Sequence, residues 1–278
     1  MRYTRMHGAG NSFVLLENLH GELQGEDLSG LALRTCGLAD ADGMIVIVPA
    51  PGDEDFGMLF YNEDGSVGEM CGNGARCVAR YGLEHGLARD PARIRVRTAA
   101  GLVTARRIDA ERYEVRLNDP SVVDLHRHVP AQGRVFDCAY VELGEPGIPH
   151  AVVETPSADF DDLDALRERG RALRRSPSFP RGANVSFVCM TGERRVRAIT
   201  FERGVEDFTL ACGTGCGAIA VTLTLRGRLP EGPVTIDMPG GELSVRLSRE
   251  GRRVHDVLLT GPTAVTGEYD DSSLVSGF

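Results

Sequence analysis

The 278-residue sequence predicts two similar lobes of mixed α/β or α+β architecture, rich in sheet. Three observations carry this. A glycine-flanked cysteine motif occurs twice, 141 residues apart, close to half the chain. Short runs that alternate apolar and charged residues, as half-buried strands do, recur from end to end. Helical patterns are few, and the length is near that at which one core becomes two.

Taken in order, strands are expected at Met44–Val48, Arg93–Arg97, Leu102–Ile108, Tyr113–Leu117, Val185–Val188, Val234–Met238 and Leu243–Leu247. Helices are expected at Gly74–Gly86, Asp161–Ser176 and Gly215–Arg226. In the middle one, Leu163, Leu166 and Leu173 share a face and arginines occupy the other. The repeat is anchored on Cys71-Gly72-Asn73-Gly74 and Cys212-Gly213-Thr214-Gly215, each leading into a helix, a strand, a glycine turn and a strand. Gly101 follows Cys71 by 30 residues and Gly241 follows Cys212 by 29. Asn62 and Arg203 each precede their cysteine by 9, while Asp42 and Asn184 precede theirs by 29 and 28. Chance hardly supplies all four. The lobes are joined near Asn118 to Val129, which puts 1–118 with 263–278 in an N-terminal lobe and 119–262 in a C-terminal one.

Composition narrows the chemistry. A net charge of -9 argues against nucleic acid and against an anionic membrane surface, leaving a small molecule as the partner. No apolar run approaches the roughly 18 to 20 residues of a membrane span. All 31 basic residues are arginines, so no lysine is present to form a Schiff base with pyridoxal phosphate or a carbonyl substrate. Seven cysteines, an odd number, follow a start from Met1 to Ser12 without an apolar leader core, so reduced thiols in the cytoplasm are expected.

A cysteine that opens a helix sits beside unpaired N–H groups and the positive end of the helix dipole, which lowers its pKa from about 8.5. The flanking glycines let backbone approach a ligand, and the same N–H groups cradle a carboxylate. Two such thiols on opposite sides of one carbon, one as thiolate and one as thiol, invert a stereocentre: one removes the α-proton, the other delivers a proton to the far face. The cradle stabilises the charge that spreads into the carboxylate, with no cofactor. Cys36, Cys138 and Cys189, and also Cys77 and Cys216 within the helices, read as buried small hydrophobes. A zinc site from Cys71, Cys77, Cys212 and Cys216 lacks the usual C-x2-C spacing, and no metal is expected. Gly213 to Gly217 lacks the dinucleotide spacing, and Gly8-Ala9-Gly10 lacks a preceding strand.

Five blocks, Met6–Val14, Tyr61–Gly65 running to Glu69–Cys77, Pro149–Val152, Gly182–Val188 and Glu202–Gly204 running to Ala211–Gly215, resemble the ordered signature of the diaminopimelate epimerase family across nearly the whole chain. Proline racemases are similar in fold and chemistry, but their first cysteine block carries histidine where this chain has Asn73. The resemblance implies an α+β fold of two pseudo-symmetric lobes, each a mostly antiparallel sheet wrapped around a central helix. It implies a cofactor-independent epimerase that interconverts LL- and meso-diaminopimelate in the synthesis of lysine and peptidoglycan precursors. Cys71 and Cys212 are then the acid/base pair, and the backbones of Gly72, Asn73, Gly213 and Thr214 hold the reacting carboxylate. Glu202 and His150 lie beside the thiols and the reacting ammonium, and Asn11, Asn62, Asn184 and Arg203 bind substrate. Monomer and homodimer are both left open.

Two positions depart from the family pattern: Ile148 stands where the resemblance implies an asparagine at the distal, non-reacting end of the substrate, and Ser12 where aspartate is usual. An alkyl group in place of an amide leaves a polar partner unpaired, at about 1 to 3 kcal/mol if buried. A racemase of another free amino acid using the same two thiols is therefore the alternative reading. A thiol redox or metal-binding protein and a noncatalytic amino-acid-binding module are remoter ones.

Overall fold

A computed structural model describes residues 2–68 and 71–270. Glu69 and Met70 of the first cysteine block, and the 271–278 end assigned to the N-terminal lobe, lie outside the described residues. The chain forms two compact units, one up to Val115 and again from Thr260, the other Arg116–Leu259.

The first unit runs β1 (Arg2–Gly8), β2 (Asn11–Glu17), α1 (Leu28–Ala39), β3 (Gly43–Val48), β4 (Phe56–Asn62), β5 (Val67–Gly68), α2 (Gly72–Glu84), β6 (Ile94–Thr98), β7 (Gly101–Arg107) and β8 (Arg112–Arg116). The second runs β9 (Pro120–Ala131), β10 (Arg134–Gly144), β11 (Gly147–Glu154), α3 (Leu163–Arg174), β12 (Asn184–Gly192), β13 (Arg195–Phe201), β14 (Phe208–Thr209), α4 (Gly213–Leu225), β15 (Val234–Met238), β16 (Gly241–Glu250) and β17 (Arg253–Pro262). The closing strand β18 (Ala264–Asp270) belongs to the first unit. The segment read as the joint is thus largely strand β9, twelve residues long.

The duplication inferred from cysteine spacing holds at the level of strand pairing. β1–β2 and β10–β11 are antiparallel, and β2–β3 and β11–β12 are parallel. β3–β4 and β12–β13 are antiparallel, as are β4–β5 and β13–β14. β4–β6 and β13–β15 are parallel, while β6–β7 and β15–β16 are antiparallel. β18 adds to β1 as β9 adds to β10, both antiparallel. The turn glycines expected at Gly101 and Gly241 open β7 and β16 with φ of 106° and 136°, a region costly for other residues.

Each sheet is wrapped around one helix. β1, β2, β6 and β7 pack on α2, and β9, β10, β11, β12 and β16 pack on α4. Enclosure explains the composition of α4, whose residues from Cys216 to Leu223 are all buried, so the helix is apolar all round rather than amphipathic. The outer helices cover the other sheet faces. Leu31, Ala32 and Cys36 of α1 join Val14, Leu16, Met44 and Val46, while Leu166 and Leu173 of α3 join Val185, Phe187 and Phe201. Among the described residues no helix is long and apolar enough to cross a membrane.

Candidate active site

In the first unit Cys71 is the N-cap of α2, in extended conformation, half-buried, with its Sγ accepting the Gly74 N–H at 3.5 Å. The β1–β2 hairpin lies against this helix start. Its turn, Ala9 and Gly10 with φ of 53° and 89°, is the two-residue kind in which both positions are left-handed. Gly8-Ala9-Gly10 therefore does have a preceding strand, β1, contrary to the expectation from sequence, but it is a hairpin turn that leads into a second strand rather than a helix. Close approach is what Gly8 provides, since a Cβ there would lie 2.9 Å from the Asn73 carbonyl oxygen. The hairpin brings Asn11 to the helix start, where its Oδ1 accepts from Asn73 Nδ2 at 2.7 Å. Asn73 and Gly72 are buried in the first turn of α2. Asn62 ends β4, and its Nδ2 donates to Ser66 Oγ at 2.9 Å.

In the second unit Cys212 is the N-cap of α4, again extended but buried. Its Sγ lies 3.8 Å from Thr214 Oγ1. The Glu202 carboxylate accepts from Thr209 Oγ1 at 2.8 Å, and its charge acts on the Cys212 thiol. His150 and Asn184 are register neighbours on the parallel strands β11 and β12. Asn184 Oδ1 accepts the Arg203 N–H at 2.7 Å, and the Arg203 guanidinium donates to the Arg181 carbonyl at 3.1 Å. Each unit thus gathers its own sequence-identified residues at the start of its central helix: Asn11, Gly72 and Asn73 beside Cys71, with Asn62 at the end of β4, and Glu202, Gly213 and Thr214 beside Cys212, with His150, Asn184 and Arg203 joined to one another.

Electrostatics correct one expectation. The Gly215 N–H at the helix start pulls the Cys212 thiol down, but burial, and next the charge of Glu202, outweigh it and push the thiol well above its usual value. Loss of hydration outweighs a dipole when the sulfur is buried and a carboxylate sits beside it. Burial also raises Glu202. His150 is driven the other way, down to about 3, by complete burial and then by the Arg203 charge, so its ring is neutral. Among the described residues neither ring nitrogen has a hydrogen-bond partner. A buried imidazole left in this state is costly and points to a polar ligand.

The departures have structural contexts. Ser12 N–H and Oγ–H both donate to Asp42 Oδ2, at 2.7 and 3.1 Å, so the carboxylate that Ser12 lacks is present on Asp42. Ile148 is half-buried on β11 opposite Leu143. Two participants are given no role by the motifs, although Arg76 lies within the first cysteine block. Thr209 carries no signal of its own, whereas Arg76, fully buried in α2, has one: a charge on the enclosed face five residues after Cys71. Cys77 and Cys216 are buried within their helices as expected.

The model of the family described as diaminopimelate epimerase matches residues 3–123 and 145–265. A protein of that name from Aquifex aeolicus is 33% identical over 274 residues, covering 94% of each chain. One from Pseudomonas entomophila is 34% identical over 285 residues, covering 94% of this chain and 95% of the other. Among solved structures, a phenazine biosynthesis protein of the PhzF family from Bacillus anthracis aligns with a TM-score of 0.75 at 12% identity, covering 97% of this chain and 98% of that one. A hydroxyproline epimerase from Agrobacterium vitis with bound trans-4-hydroxy-L-proline aligns with a TM-score of 0.68 at 21% identity, covering 98% and 94%. These two likenesses concern the fold.

Proposed function

The chain belongs to the diaminopimelate epimerase family, and from that premise we propose how its residues divide the work of interconverting LL- and meso-diaminopimelate. The observation that carries the reading is the pair of topologically equivalent helices, each capped by a glycine-flanked cysteine. The first N–H groups of each helix have no intrahelical acceptor, and they receive the carboxylate whose acidity the reaction needs. Charge spreading from the α-carbon into that carboxylate meets fixed donors, so the proton becomes removable without a cofactor.

The two thiols then take unequal parts. Cys212, kept protonated by burial and by Glu202, is the donor, and Cys71, with an N–H aimed at its sulfur, is the acceptor that removes the proton of LL-diaminopimelate. After a forward turnover Cys71 carries the proton and Cys212 is the thiolate; loss of a proton from Cys71 to solvent and uptake of one by Cys212 restore the starting pattern, while the reversed pattern is the one that runs the meso-to-LL direction. Neutral His150 offers one nitrogen as acceptor to the reacting ammonium, with Glu202 beside the same thiol. Asn11, Asn62, Asn184 and Arg203 fix the remainder of the substrate, with Arg203 supplying a cation for the distal carboxylate. The seven thiols suit a reducing cytoplasm.

Ile148 favours a second reading, racemisation of another amino acid by the same pair, because it removes a polar contact expected at the distal end. One experiment separates the two. A panel of free amino acids incubated with the protein in deuterated water and read by NMR should show solvent deuterium entering the α-position of diaminopimelate, with no cofactor or metal added. Exchange confined to a different amino acid supports the second reading, and none at all sinks both.

A further inference from the structure

Arg76 lies outside the proposed machinery, yet it is a fully buried cation in the second turn of α2. Its Nη1 donates to the Gly72 carbonyl at 3.3 Å and its Nη2 to Asn73 Oδ1 at 2.9 Å. Burying a guanidinium is expensive unless its donors are used, so the position calls for a reason. One use of those donors is the pair of amides beyond it. A guanidinium only donates, so the Asn73 atom that faces it is the oxygen. The Asn73 nitrogen is thereby turned to Asn11, at 2.7 Å, and being itself only a donor it requires the Asn11 oxygen. The Asn11 amide is then left with its nitrogen, Nδ2, as the outward group, without a protein partner among the described residues.

We propose that Arg76 is a positioning residue: through Asn73 it fixes the orientation of the Asn11 amide so that a donor faces the substrate. Resting on the reading of this site as an amino-acid epimerase, this assigns the Asn11 end to a carboxylate or other acceptor oxygen. An amide pair without the arginine has two arrangements of similar hydrogen bonding, one of which turns an oxygen toward that acceptor and repels it. The buried charge removes the second arrangement. No counterpart exists in the other unit, where the position five residues after Cys212 is Gly217, packed against Leu117 and Leu143.

The test measures KM and kcat for diaminopimelate together with thermal stability, starting from wild-type protein that exchanges its α-proton; wild-type exchange failing would count against the function and not against this relay. Arg76→Met should raise KM about ten- to a hundredfold, the worth of a hydrogen bond to a charged group, with a smaller effect on kcat. Arg76→Lys, which can still donate to Asn73 Oδ1, should recover part of that loss. In an Asn11→Ala background Arg76→Met should add no further change in KM, because the relay has lost its end. Equal KM increases in the two backgrounds would show that Arg76 serves local packing only, and overturn the proposal. Should the Arg76 variants fail to fold, Asn11→Asp decides. It keeps an acceptor for Asn73 and replaces the outward donor with a carboxylate, so KM should rise at least tenfold at unchanged stability. An unchanged KM in Asn11→Asp would overturn the proposal.

Discussion

Glu202→Gln isolates the carboxylate that holds the Cys212 proton. The Glu202 charge raises the pKa of the Cys212 thiol, second only to burial. At hydrogen-bonding range of a sulfur, about 4 Å, a unit charge at an effective dielectric of about 20 contributes about 4 kcal/mol. Screening at the half-buried carboxylate removes much of this, but the direction survives it. The sign follows directly: a negative neighbour disfavours thiolate, so its removal lowers the pKa. Since Cys212 must be protonated to donate, the alkaline limb of kcat/KM against pH should move to lower pH in Glu202→Gln, and the ultraviolet absorbance of the thiolate should appear over the same lowered range. A limb that stays in place or moves upward would refute the assignment of Cys212 as the donor held by Glu202.

Cys71→Ala and Cys212→Ala should each abolish epimerisation followed by NMR, and near-full activity in either would end the two-thiol mechanism. Ile148→Asn should leave kcat/KM for diaminopimelate similar or improve it by one hydrogen bond, about 0.5 to 1.5 kcal/mol; a marked loss, with another amino acid turned over better by the native protein, would show a remodelled distal end. His150 is held at about 3 in the folded protein against an ordinary 6.5, so the unfolded chain takes up its proton first as pH falls. The contribution of its neutral burial is complete above about 6.5 and declines toward pH 3 by up to about 1.4 kcal/mol per unit; urea titrations of the native protein and His150→Gln should show a shallower slope in the variant. Ile219→Ala, in the middle of the enclosed helix α4, should cost about 2 to 5 kcal/mol in the same titration, and a loss below 1 would mean the site collapses around the cavity.

Much of this architecture is legible in spacing. The offsets around Cys71 and Cys212 follow from paired strands of matching length, and the glycine turns expected at Gly101 and Gly241 are where the β6–β7 and β15–β16 hairpins reverse. Helix α1 is not legible, because Gly30 and Gly37 dilute its pattern and only Leu31, Ala32, Thr35 and Cys36 are buried. Strands such as β10 and β13 lack clean alternation, since parts of each are buried on both faces. At the site, motifs locate Cys212 and Glu202 but leave their effect on each other open. Whether a helix dipole or a carboxylate governs a thiol depends on burial and on a contact across ten residues, neither of which is written in the motif. Ser12 and Asp42 illustrate the same limit: thirty residues apart in the chain, they form one hydrogen-bonded pair.

The enclosure of α4 has a further consequence, for the route by which the protein becomes competent. A segment apolar on every side gains nothing from forming in water, and its three early glycines weaken it further as an isolated helix. It is stabilised only when the strands of its own unit close around it, and Cys212 acquires its cap geometry and its carboxylate neighbour at that same moment. Partly assembled chains therefore carry a thiol without its catalytic setting, and recovered activity in a refolding experiment reports completion of the sheet rather than formation of local structure.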